Sequence, residues 1–440
     1  MSSLPATPLH SFTFCDLLNS LGCDEGFITQ AAFQCGWLKR SPRKITPASL
    51  FDAVCFESSH GSASFNDVAS RIHTLPSRQA VARRMNKAAL LFFQHCLAAL
   101  IDHKTAAANT PPWLSRYHRV ILQDSTVLKL PAWLFDTFSG VTNATTTVCN
   151  ARVQAVYDLK NRCFLDFSID AYSKNDLLCA PALKLQKGDL VLRDRGYLFS
   201  DELQRHLDAG ADCIYRHKTG TLYLDPDTLQ PLDLLAELRK NGCLDIRVRL
   251  NNKAQTPVRL LSAPVSQETA SLRRMKAKKE THGHAPSAAV LALMDWTVFI
   301  TTIAAPEADF KTILATYGLR WRVEVLFKSW KSHLNFDLIH RVSKTQLRIL
   351  LTARLLIITA LTNWLYPKCH DLISKVHGKR LSLLKLLHYL AMKPEQLPQL
   401  VACLSLENPL AQHPLLMLKK YCCYDIRKRR NFDQFCSALP

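Results

Sequence analysis

The sequence predicts an α/β protein, a mixed sheet with flanking helices set between helical regions at either end. The middle of the chain carries the prediction. Strand-like runs follow one another at RVILQ (119–123), ARVQAVYDL (151–159) and RCFLDFSID (162–170), the last two joined by a turn at Lys160 and Asn161. Helix and strand then alternate: a helix near 175–186, a short strand from Leu190 to Arg193, a helix near 200–209 and a strand CIYRH at 213–217. That order is the one expected of a ribonuclease-H-like core.

Residues 1–110 read as a helical N-terminal domain, with segments near 12–20, 25–35, 45–57, 64–72 and 77–102. SFNDVASRI and SRQAVARRM have helix-turn-helix spacing, with Ser77 expected to cap the second helix. That helix carries Arg78, Gln79, Arg83 and Arg84, and the pair serves either ordinary packing or DNA reading. The first part of the core spans 111–218. From 219 to 295 the rhythm breaks into short strands such as DIRVRL and PVRLLS and a basic stretch, LRRMKAKKETHGHAPSA, which reads as a β-rich insertion with a mobile loop. The core resumes over 296–345 with the strand WTVFITTIA (296–304) and one long helix from about Ala308. Residues 346–440 form a helical C-terminal region ending in the basic run Arg427 to Arg430.

The chain has 440 residues, 48% hydrophobic and 21% charged, which is the balance of a globular protein with room for several structural units. Lys plus Arg number 56 against 36 Asp plus Glu, a net charge of +20 that points to polyanionic partners. The 15 cysteines include no CxxC pair, and they read as reduced, buried small hydrophobes of a cytoplasmic protein. His282 and His284 have ligand-like spacing without a second pair near them, so a polar loop is expected rather than zinc. The N-terminus lacks the pattern of a secretory signal. The apolar stretch Leu347 to Tyr366 contains Arg348 and Arg354, costly at bilayer depth, and is expected to be a buried helix with no membrane involved.

The sharpest pattern is YGLRWRVEVLFKSWK, from Tyr317 to Lys331. On a single helix Leu319, Val323, Leu326, Phe327 and Trp330 form an apolar stripe, while Tyr317, Arg320, Glu324 and Lys331 fall within about 60° of one another on the next face. A carboxylate among cations is ordinarily a solvated row with i,i+4 pairing, as Arg320 with Glu324 would be. Upstream, RVILQDST places Asp124 after one strand, and DLVLRDRGY places Asp194 after another, before Gly196 and Tyr197. Both are expected at the carboxyl ends of their strands, the edge where open α/β sheets bind ligands. Asp189 begins its strand and Asp166 lies inside one, so both read as turn or surface carboxylates.

This combination resembles bacterial insertion-sequence DDE transposases of the insertion-sequence-four family, whose tyrosine, arginine, glutamate, lysine signature matches Tyr317, Arg320, Glu324 and Lys331. The resemblance covers roughly residues 110–345. It implies that Asp124, Asp194 and Glu324 are the catalytic carboxylates and hold Mg²⁺ or Mn²⁺, two ions in all, for cleavage at element ends and strand transfer into target DNA. Such chemistry needs an activated water or 3′-hydroxyl in line with the leaving oxygen, and two ions about 3.5–4 Å apart serve both oxygens. By the same resemblance Tyr317, Arg320 and Lys331 contact phosphates of the double-stranded element ends, and the protein pairs two ends as a homodimer. Trp321 either stacks on a base or packs, and Lys328 flanks the row. Arg195, Arg216 and Lys218 put further positive charge at the same sheet edge. The rivals are a nuclease of the same core without strand transfer, and a retired transposase that only binds DNA.

Overall fold

The computed structural model describes residues 23–439 apart from 41, 43, 61–62, 103–110, 141–147, 175–178, 281–284, 405–412 and 425–438. The helix expected near 12–20, the histidines 282 and 284 and the run Arg427 to Arg430 lie outside these residues. The N-terminal helices are α1 (Glu25–Gln34), α2 (Pro47–His60), α3 (Phe65–Arg71), α4 (Arg78–Arg84), α5 (Lys87–Asp102) and a single turn α6 (Pro112–Ser115). Then come β1 (Arg119–Lys129), β2 (Asn150–Asp158), β3 (Cys163–Ala171), β4 (Asp189–Arg193), α7 (Ser200–Asp208) and β5 (Asp212–Arg216). Next are β6 (Tyr223–Leu224), β7 (Pro231–Leu232), α8 (Leu234–Asn241), β8 (Leu244–Leu250), β9 (Pro257–Pro264), α9 (Gln267–Glu280), α10 (Ala288–Ala292) and β10 (Trp296–Thr301). The rest is α11 (Phe310–Gly318), α12 (Trp321–His333), α13 (Lys344–Thr359), α14 (Tyr366–His377), α15 (Leu383–Met392), α16 (Gln396–Leu404) and α17 (His413–Tyr421).

The chain divides into two compact units. One takes Met1–Asn109, Ser125–Pro181 and Val323–Asn431; the other takes Thr110–Asp124, Ala182–Arg322 and Phe432–Pro440. In the first, the antiparallel hairpin β2–β3 continues the far end of β1 in the order β3-β2-β1. Its helical part is built on α13, which packs on α5 and α2. The stretch Lys344–His377 is long and apolar enough to cross a membrane, yet its apolar window is wholly buried within the protein. Arg354 explains how a cation is tolerated there: its guanidinium donates to the carbonyls of Ser58 (2.8 Å), Phe336 (3.0 Å) and Leu338 (2.5 Å), so every arm of the buried charge has a partner. Between α13 and α14 a π-helical turn, Ala360–Leu365, presents Asn363 to the edge of β3, where its amide exchanges hydrogen bonds with Phe164 N and O. Trp330 of α12 is fully buried among Phe164, Phe167, Phe327 and Phe336. In the N-terminal helices Ser77 caps α4 as its sequence suggests and Ser64 caps α3, and α4 buries Val81 while Arg78, Gln79 and Arg83 stay exposed.

The second unit holds the sheet in the order β1-β4-β5-β10-β9-β8-β6-β7. β1, β4 and β5 run parallel, and β10, β9 and β8 add antiparallel strands beyond them. Three expectations fail. No helix occupies 181–186, which is irregular chain leading into β4; Pro181 and the turn at Lys187 and Gly188, where φ is +81°, favour extended structure. Of the basic stretch expected to be mobile, residues 272–280 lie in the helix α9, and residues 281–284 lie outside the described residues. Good helix formers sustain α9, and it is docked by Arg273 onto Trp296 O (3.0 Å) and Thr297 Oγ1 (2.9 Å) and by Arg274 onto Asp295. The single long helix from Ala308 is two helices, α11 and α12. Gly318 ends α11, and the amides of Arg320 and Arg322 bond three residues back to Tyr317 and Leu319, a tighter turn that separates the two helices.

Replacing Arg354 with Ala leaves buried carbonyls unpaired beside a cavity. A loss of about 3 kcal/mol or more is expected, read as a drop of several degrees in the thermal transition; an unchanged transition would show that Arg354 is not a tie of this helical core.

Candidate active site

Parallel pairing of β1 with β4 sets Arg119 beside Asp189 and runs in step to Gln123 beside Arg193. The next residue of each chain is an aspartate. Asp124 and Asp194 are therefore level on neighbouring extended segments, whose usual separation is about 4.8 Å. The expectation that both end their strands holds for Asp194 only. β4 stops at Arg193, whereas β1 continues to Lys129, so Asp124 marks the point where pairing with β4 ceases. Asp194 caps a 3-10 turn, Arg195–Tyr197, its Oδ2 accepting from Gly196 N at 3.4 Å. Both aspartates are half-buried. Asp189, at the other end of β4, is held by the Arg119 guanidinium at 2.9 and 2.6 Å, and Asp166 is exposed on β3.

Arg320, in the break between α11 and α12, brings a cation to this edge. Arg320, a buried residue, donates to Asp124 Oδ2 at 3.0 Å. Its guanidinium lies 5.8 Å from the Tyr317 ring and 5.6 Å from that of Trp321, which is itself 56% exposed. Tyr317 packs on Phe299 at 5.2 Å. Burial pushes its phenol up to about 12; Asp194 adds to the shift, and Arg320 and Arg216 oppose it. Arg216, at the end of β5, is lowered by burial, with Arg195 and Arg320 acting the same way and Tyr317 and Asp194 against. Asp124, Asp194, Arg195, Arg216, Tyr317 and Arg320 thus fall in one neighbourhood. Lys218 is exposed on the chain beyond β5.

Glu324, Lys328 and Lys331 belong to the other unit, on α12. Glu324 is half-buried in the first turn and Lys328 is exposed. Lys331 donates to Val127 O at 2.8 Å, which anchors α12 to β1 three residues beyond Asp124. Burial lowers its ammonium, with Asp337 opposing. The expected row of four on one helix is therefore divided: Tyr317 lies in α11, Arg320 in the break, and Glu324 and Lys331 in α12.

Among the described residues no three His, Cys, Asp or Glu side chains converge to hold a metal. What Asp124 and Asp194 supply is a pair of hard carboxylate donors. That pair fits Mg²⁺, which takes one or two carboxylates and completes its shell with water and phosphate. Sequence reasoning misses the residues beneath them. Gln123, Arg193 and Glu202 are buried and mutually bonded, and the signal that could have found the first two is a polar residue closing each of the otherwise apolar runs VILQ and LVLR.

The transposase DDE domain family matches residues 116–360, more than half of the chain and the stretch that contains every residue described above. The chain belongs to the DDE transposase family. It is an enzyme with DDE-type transposase activity, in a family that acts on DNA and generally uses divalent metal ions. This transposase is 22% identical to the transposase for insertion sequence element IS231F of Bacillus thuringiensis subsp. israelensis over 387 residues, 81% of this chain and 80% of that one. It is 24% identical to the transposase for IS1151 of Clostridium perfringens over 339 residues, 70% of each. A solved piggyBac transposase synaptic complex with hairpin DNA aligns over 97% of this chain and 87% of its own at 10% identity and a TM-score of 0.45, too distant to bear on the site.

Near Arg193, His206 bonds Tyr215 Oη at 3.0 Å, and burial, then Arg193 and Arg205, hold its imidazole down to about 3. The unfolded chain takes up this proton near pH 6.5 and the folded chain does not. The stability tied to this group is therefore full above about pH 6.5 and is lost as pH falls towards 3, a loss on the order of a few kcal/mol. Melting at pH 7 and 4.5 should show a smaller pH loss in His206→Gln than in the parent; parallel losses would remove His206 from this role.

Proposed function

We propose that this transposase serves an insertion sequence of the insertion-sequence-four family, cutting the DNA at the element's ends and joining the freed 3′-hydroxyls to target DNA. The observation that carries this is the level placement of Asp124 and Asp194 beside a cluster of guanidinium groups, in a chain whose family performs this chemistry. Asp124 and Asp194 are the carboxylates that hold Mg²⁺ or Mn²⁺, and Glu324 of the signature is the third. Divalent ions held by these carboxylates would supply activation of the attacking oxygen and charge stabilisation of the leaving one.

The chain's own groups do the rest. Arg320 and Arg216 recognise phosphate, the first through a planar fork suited to bidentate contact. Arg320 holds Asp124 through one arm, so a phosphate drawn to the same guanidinium is brought beside that carboxylate. Tyr317, its hydroxyl kept protonated by burial, donates rather than accepts towards a phosphate oxygen. Lys331, already tied to Val127 O, retains protons for a phosphate. Arg195, Lys218, Lys328 and Trp321 extend the DNA contact, Trp321 by stacking its exposed ring. Two protomers pair two double-stranded ends.

Asp124→Asn, Asp194→Asn and Glu324→Gln should each lower end cleavage at least a thousandfold while binding of end DNA without metal stays within a few fold. Cleavage that survives any of these changes would remove that residue from the reaction. Cleavage by the parent without any joined product would favour a nuclease of the same core.

A further inference from the structure

Directly beneath the two aspartates lies a polar cluster that the chemistry above does not use. Gln123, Arg193 and Glu202 are each at most 4% exposed. The Arg193 guanidinium donates one arm to Gln123 Oε1 and another to Glu202 Oε1. It also lies 5.3 Å from the ring of Tyr197, in the turn that Asp194 caps. The second oxygen of Glu202 accepts from Arg205 at 2.8 Å. One buried cation therefore ties together β1, β4, α7 and the turn after Asp194.

Stability alone is a poor reason for such a group, because well-packed apolar side chains often replace a buried ion pair without loss. Its position is informative. Gln123 and Arg193 are partners in the β1–β4 register, and each is the residue before an aspartate. Alternation along an extended chain sends them to one face and the aspartates to the other. Gln123↔Arg193 is also the last step of that pairing, where a strand end would otherwise fray. Carboxylates set side by side repel and would spread the two segments. A slip or twist there breaks a hydrogen bond to a buried charge, which costs more than a neutral one.

The geometry points to Gln123, Arg193 and Glu202 as positioning residues that keep Asp124 and Asp194 level, so that their carboxylates meet a divalent ion as a preformed pair. This rests on the reading of those aspartates as the metal carboxylates. None of the three touches ion or DNA; they act by removing freedom from the groups that do.

The test is Gln123→Met in the full-length protein, a change that keeps the bulk and removes the acceptor. Two readouts are taken: Mn²⁺ affinity without DNA, from the electron paramagnetic resonance signal of free Mn²⁺, and end cleavage across a Mn²⁺ series. Affinity should fall about tenfold, in the range seen when the support of a metal ligand is removed. Cleavage should fall at low Mn²⁺ and largely recover at high Mn²⁺, with unchanged KM for DNA. Gln123→Glu, which restores an acceptor, should return the affinity to within a few fold of the parent. Should the Met variant not fold, Gln123→Asn, too short to reach Arg193, is read in the same way. A folded variant with parental Mn²⁺ affinity and metal dependence overturns the proposal. Asp124→Asn in the same titration separates the causes: if it loses Mn²⁺ and Gln123→Met does not, only the positioning role fails, and if it also keeps Mn²⁺, the carboxylate reading fails with it.

Discussion

The parallel register of β1 on β4 is the constraint on which the active-site edge depends. Because side chains alternate with a period of two, a one-residue slip would bury Asp124 against α7 and turn Gln123 outward. The register is held at both ends by charge. Arg119 and Asp189 close one end, while Gln123, Arg193 and Glu202 close the other. Between them Val120, Ile121 and Leu122 face Leu190, Val191 and Leu192, all buried. Apolar pairs supply the burial and the polar ends supply the alignment.

The same edge shows how a chain with a net charge of +20 can present acidic groups to a polyanion. Asp124 is paired with Arg320, and Tyr317 and Arg216 sit within the electrostatic reach of Asp194. The surrounding guanidinium groups are those suited to phosphate. Arg320 lies between α11 and α12 rather than within either helix. Two groups in one signature are thereby given separate tasks: Arg320 attends Asp124, and Lys331 fastens α12 to β1 through Val127.

Much of this is legible in the sequence where a local rule dominates. The apolar runs VILQ and LVLR mark strands, Ser77 marks a helix start, and the acidic residues that follow the runs stand out against them. The two arginines within Leu347 to Tyr366 mark that stretch as a buried helix, and it is one. What stays hidden depends on contacts distant in sequence. Nothing near Gln267–Glu280 announces that Arg273 and Arg274 will dock on Trp296, Thr297 and Asp295, so its charge density reads as a loop. The break after Gly318 is a single helix-weakening residue inside an unbroken periodic pattern, and periodicity alone passes through it. β1 outlasts its apolar run, running on beyond its pairing with β4 and beside β2, which no local feature of Asp124 to Lys129 discloses. Gln123 and Arg193 are visible as residues but not as partners, since the register that joins them is a tertiary fact.

That Asp124 and Asp194 together with Glu324 hold the divalent ion is tested most directly by substituting Fe²⁺ for Mg²⁺ and generating hydroxyl radicals with ascorbate and peroxide. The radicals cut the polypeptide beside the bound iron, and the fragments can be mapped by mass spectrometry. Cuts confined to the neighbourhoods of residues 124, 194 and 324, suppressed by excess Mg²⁺, are the expected result. Cuts elsewhere in the chain, or cuts at these positions that Mg²⁺ does not suppress, would contradict it.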